Sequence, residues 1–228
     1  MPYPFAHPAA VLPLARPMGR FGVPSALAIG SLVPDLWYFI PFVERAQSHD
    51  PVGLVWFCVP AGLIVYALFH LVLKEPLIAL LSSRLAHFTC RGLPQRPASA
   101  IVISLLAGSL THLIWDAVTH SNAGAVDGLN WAQHASTLGG TAVLAWWTWR
   151  KLRAVPPAPP RLAGFTRLCT ALGLLGAMLV AALWSADIWL AFDRAALRHL
   201  SRTAGIGALE GFGVALFIYC LVFQRKML

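Results

Sequence analysis

The chain has 228 residues, 58% of them hydrophobic and only 11% charged, with a mean hydropathy of +0.68. Soluble domains carry about 25% charged residues, so the composition excludes an ordinary water-soluble globule and predicts a polytopic membrane protein. The excess of 17 Lys and Arg over nine Asp and Glu, +8 overall, would suggest nucleic acid in a soluble chain. Here the basic residues fall between apolar runs, so no nucleic-acid partner is implied.

In chain order, the opening "MPYPFAHPAAVLPLARPMGR" lacks a basic start, a compact apolar core and a small-residue cleavage site, so no cleaved signal peptide is expected. Residues 21–43 are long enough to cross a hydrocarbon core of about 30 Å. However, Pro24, Pro34, Asp35 and Pro41 predict a broken or re-entrant element rather than a straight helix. Apolar runs at 52–73, 98–119, 132–149, 168–191 and 204–224 predict spans. The fold class expected is therefore all-α, a polytopic membrane helix bundle of about five transmembrane helices plus an N-terminal broken or re-entrant element. Three regions follow: 1–153 with nearly all the histidines, a Pro-rich basic linker over 154–167 beginning "AVPPAPPR", and two C-terminal helices over 168–228. Gly207 and Gly211, at GxxxG spacing, predict close packing of those last two helices. Cys58, Cys90, Cys169 and Cys220 include no CxxC pair, so neither a disulfide framework nor a thiolate metal site is indicated.

The bias of Lys and Arg sets the expected orientation. Connections 74–97 and 150–167 and the tail "QRKML" are basic, whereas 120–133 has no Lys or Arg. The positive-inside rule then puts the former in the cytoplasm and 44–51, 120–133 and 192–203 outside. Arg194, Arg198 and Arg202 are the exception, read as a solvated face touching lipid phosphates.

Within the span at 98–119, "SLTHLIWDAVTHSN" sets His112, Asp116 and His120 four residues apart. On a helix the three drift by only about 40° per step, so they form one stripe. Ionisable groups inside a membrane cost several kcal/mol unless paired or hydrated, and by default they mark function. The expected topology gathers His49, Asp50 and His134 at the same leaflet. Neutral imidazoles and carboxylates are the ligands of zinc and similar divalent ions. A cluster that only fastens helices together is the bland alternative. His70 is read as a packing or interfacial residue, and His87 and His199 as solvated.

The ordered motifs "AHPAAVLP", "GSLVPDLWYF", "SHDPVGL", "THLIWDAVTH" and "QHASTLGG", over roughly residues 1–150, resemble an uncharacterised family of bacterial integral membrane proteins. That family looks like a relative of membrane-bound metal-dependent hydrolases. More distantly, both are similar to the all-helical zinc-dependent phospholipase C and zinc nuclease superfamily. The resemblance implies His7, Asp35, His49, His112, Asp116, His120 and His134 as ligands of a divalent metal, zinc first among them. Asp116 and His120 are the expected catalytic residues, with Asp116 the candidate to bridge two ions. Those enzymes follow the last His with an acid at i+4, where this chain has Leu138; one or two metals is the expectation. The implied activity is metal-dependent hydrolysis of a membrane lipid or amphiphilic substrate on the outer side. A metal or proton transporter and a non-catalytic, metal-stapled protein are the alternatives.

Overall fold

A computed structural model describes residues 6–40, 42–81, 84–85, 95–119, 125–126, 129–157, 162–192 and 200–227. It is helical throughout, apart from an antiparallel pair of two-residue strands, Ala125–Val126 and Leu129–Asn130. The helices are α1 (Pro8–Val11), α2 (Pro24–Gly30), α3 (Arg45–Ser48), α4 (Val59–Leu68), α5 (Lys74–Leu81), α6 (Ala98–Thr119), α7 (Trp131–Arg153), α8 (Gly164–Phe192) and α9 (Leu200–Met227). One π-helical turn, Leu54–Cys58, leads into α4 and another, Phe69–Leu73, joins α4 to α5, so the run is continuous over Leu54–Leu81.

Among the described residues, four stretches are long and apolar enough to cross a membrane: Leu54–Leu81, Ala98–Thr119, Gly164–Ala186 and Thr203–Arg225. The fifth expected span, 132–149, is helical as part of α7 but is not among them. Its first turns carry Gln133, His134, Ser136, Thr137 and Thr141, which dilute the apolar run. Its other end is aromatic and basic. Arg150, Lys151 and Arg153 lie over the rings of Trp146, Trp147 and Trp149, an arrangement suited to a membrane–water boundary.

Residues 21–43 are broken, as their prolines require. Pro24 opens the short α2, and Pro34 opens a 3-10 helix over Val33–Phe39. Such an element leaves backbone groups at each end that a membrane interior cannot hydrate. One face of α6 satisfies them. Ser104 Oγ accepts from the Val23 amide (2.9 Å) and donates to the Phe21 carbonyl (2.6 Å). Ser109 Oγ donates to the Gly30 carbonyl (3.0 Å), and the His112 ring takes the Ser31 carbonyl. Gly30 and Gly108 let the two backbones touch, since a Cβ on either would collide with main-chain atoms of the other helix.

The chain divides into two units, Met1–Leu68 with Leu93–Val155, and Phe69–Gly92 with Pro156–Leu228. In the first, Ala6 abuts Gly140 of α7 and Trp115 Nε1 donates to Ser136 Oγ, so α7 backs both α6 and the segment before α1. In the second, α8 and α9 pack closely at the expected glycines, because a Cβ on Gly207 would strike Ser185 and one on Gly211 would strike Ala181. Leu174, Leu216 and Cys220 form its core.

Candidate metal centre

Five side chains from four separated stretches of the first unit meet at the end of the α6 face. His7 precedes α1, Asp35 lies on the 3-10 helix, His49 follows α3, and His112 and Asp116 are one turn apart on α6. Their side chains are only 0% to 9% exposed. The ligand atoms fall into two overlapping groups, His7 with Asp35 and His112, and His49 with His112 and Asp116.

The orientation of two imidazoles is settled by their outer nitrogens. His112 Nδ1 lies 2.8 Å from the Ser31 carbonyl, which can only accept, so Nδ1 carries the proton and Nε2 the lone pair. His49 Nδ1 lies 2.8 Å from Ser48 Oγ, whose own proton goes to the Arg45 carbonyl at 3.1 Å. The hydroxyl must therefore accept from His49, and again Nε2 is left with its lone pair. Neither Nε2 has a hydrogen-bond partner among the described residues, although both are buried.

Both bare nitrogens face the carboxylates. His112 Nε2 is 3.7 Å from Asp35 Oδ1 and 3.7 Å from Asp116 Oδ2. His49 Nε2 is 3.7 Å and 3.6 Å from the same two atoms, and His7 Nε2 is 3.7 Å from Asp116 Oδ1. The His7 ring stacks on His112 with centroids 3.9 Å apart. Burial raises the Asp35 carboxyl above the usual carboxylate range; His112 draws it down, Asp116 pushes it up, and His49 and Arg45 draw it down in turn.

A family model matches residues 1–221 of the chain, nearly its whole length. The chain belongs to the DUF4184 family, described as a domain of unknown function. No curated protein and no solved structure matches it.

In this DUF4184 chain the donor set suits a divalent cation. Separations of 3.6 to 3.7 Å are too long for hydrogen bonds. They lie close to the spacing of two ligands on one tetrahedral ion with bonds of about 2.0–2.2 Å, which is about 3.3–3.6 Å. Each oriented imidazole also has the outer hydrogen bond that metal-ligating histidines almost always make.

The remaining sequence candidates fare differently. His134 stands exposed in the first turns of α7, outside both groups of ligand atoms, because sharing a level in the topology does not fix which way a side chain points. His120 lies outside the described residues, as do His87 and His199. His70 is buried in the π-helical turn beside Phe69. Asp50 accepts from the Gly53 amide, just ahead of the run at Leu54. Sequence reasoning missed Arg45, whose Nη2 is 3.1 Å from Asp116 Oδ2, and the orienting Ser48. Their signal was local: Arg45 sits four residues before His49, one helical turn.

Proposed function

We propose that this chain is a membrane-embedded, metal-dependent hydrolase acting on a lipidic or phosphate-bearing amphiphile. The observation that carries the reading is the pair His49 and His112, each held by its Nδ1 proton and each presenting a bare, buried Nε2 to Asp35 and Asp116. A polar cluster that only fastened helices would direct these nitrogens at hydrogen-bond partners, since an unsatisfied buried group costs about 1–3 kcal/mol.

His112 belongs to both ligand groups, yet its Nδ1 is committed to Ser31, so it offers a single lone pair. This favours one ion on His112 over two ions sharing it. His49, His112 and Asp116 would hold the ion, and zinc suits such a mixed nitrogen and oxygen set. A bound divalent ion lowers the pKa of water towards neutrality and polarises a phosphoryl or carbonyl oxygen. Asp35 Oδ1, 3.7 Å from both imidazoles, is then the carboxylate left to hold a proton taken from the attacking water.

Support for an amphiphilic substrate comes from the stretches that flank α3. Phe39, Phe42, Val52, Val55 and Trp56 are all exposed large apolar side chains, Phe42 at 90%. The loop charge bias favours an outward-facing site in a bacterial cytoplasmic membrane.

The test is hydrolysis by purified protein reconstituted in liposomes, with wild type, Asp35→Asn and Asp116→Ala presented with phospholipids and long-chain prenyl phosphates. Metal-dependent product release lost in both variants is expected. Metal flux without hydrolysis would instead assign a transporter, and bound metal with neither activity would assign a structural staple.

A further inference from the structure

The buried cluster has one partly open member. Arg45 has a side chain 40% exposed, against 0% to 9% for the five residues beside it. Its backbone is fixed: the Glu44 and Gln47 capping box locks the turn, and the Arg45 carbonyl anchors the Ser48 hydroxyl that orients His49. Its guanidinium reaches Asp116 Oδ2, the same oxygen that both bare imidazole nitrogens face. Nε is buried and has no hydrogen-bond partner among the described residues.

A guanidinium offers five N–H donors in a planar fork, and among the described residues the one contact to Asp116 leaves most of that fork unused. Charge gives the unused donors a ligand class. Asp35 and Asp116 together carry two negative charges, which a divalent ion balances, so Arg45 leaves the loaded centre with a net charge of about +1 when the histidines are neutral. Such a centre attracts an anion, and a fork of paired donors fits two oxygens of a phosphate.

We infer that Arg45 is the phosphate-binding residue of this site, reading the phosphate group of the substrate beside the metal. The inference rests on the hydrolase reading for its metal and narrows the substrate from any ester to a phosphate-bearing one. Arg45 binds the anion at the exposed edge, while His49, His112 and Asp116 hold the ion beneath it.

The experiment is calorimetric titration of full-length, zinc-loaded protein in maltoside micelles. Inorganic phosphate, dihexanoyl phosphatidic acid and acetate are titrated into wild type, Arg45→Met and Arg45→Lys, with the zinc content of each measured in parallel. Wild type is expected to bind both phosphate ligands and not acetate. Tighter binding of the phosphatidic acid than of free phosphate identifies a lipid headgroup as the source, and the reverse a soluble phosphate; either supports the assignment. Arg45→Met is expected to keep its zinc and bind phosphate at least about 10-fold more weakly. Arg45→Lys, which retains the charge and the ion pair to Asp116, should fold even if the Met variant does not, and should still lose about 3- to 10-fold because the fork is gone. Wild-type protein that binds no phosphate, or folded variants that bind it as well as wild type, overturns the role of Arg45. A wild type that retains no zinc sinks the metal reading instead, and the phosphate titrations judge Arg45 separately.

Discussion

Ser48 and the Ser31 carbonyl do no chemistry themselves, yet they decide which nitrogen of each histidine faces the carboxylates. Ser48→Ala removes the acceptor for His49 Nδ1 without touching a ligand, so zinc affinity, measured against a competing chelator, is expected to fall about 10- to 100-fold. His112→Ala goes further, since it removes the shared donor and leaves the Ser31 carbonyl unsatisfied. Stoichiometric metal should be lost and thermal stability reduced by about 1–3 kcal/mol. His112 and Asp116 are legible in the sequence because four-residue spacing puts them on one helical stripe whatever else the chain does. His49 is visible as a polar residue at the matching level of the topology, and Asp35 and His7 enter only through the resemblance of their motifs. Arg45 resembles any loop arginine until the fold brings it to Asp116, and the Ser31 carbonyl has no side-chain signature at all.

At the level of elements, the His112–Asp116 stripe is the end of a longer one, in which Ser104, Gly108, His112 and Asp116 recur every four residues along α6. Its first half supports the ends of α2 and its second half carries the His112 and Asp116 donors, so packing and the candidate site share one face. Gly108→Ala would put a methyl group into the α2 backbone and is expected to cost about 1–3 kcal/mol in detergent unfolding. Because the same displacement moves Ser31 away from His112, metal affinity should fall with it. The break over 21–43 was legible from its prolines, whose effect on a helix is local. That α6 would repair the break was not, because Ser104 and Ser109 read as ordinary small residues of a span. In α7, an apolar run over 132–149 suggested a crossing, but the polar first turns and the Trp–Arg end are what distinguish it from the four apolar stretches.

For the whole molecule, the four apolar stretches carry exposed Leu, Ile, Val, Phe and Trp side chains along much of their length, which water would not tolerate and lipid would cover. Alkaline carbonate washing of membranes should therefore leave the protein in the pellet, and its appearance in the supernatant would contradict the membrane assignment. Composition makes this property legible, since it needs no knowledge of which helices touch. The candidate metal centre, by contrast, depends on four distant stretches converging. It is tested most directly by elemental analysis of the detergent-purified chain beside its His112→Ala and Asp116→Ala variants. About one divalent ion per wild-type chain, absent from both variants, is the predicted result; a wild-type protein equilibrated with zinc that retains none would contradict the account.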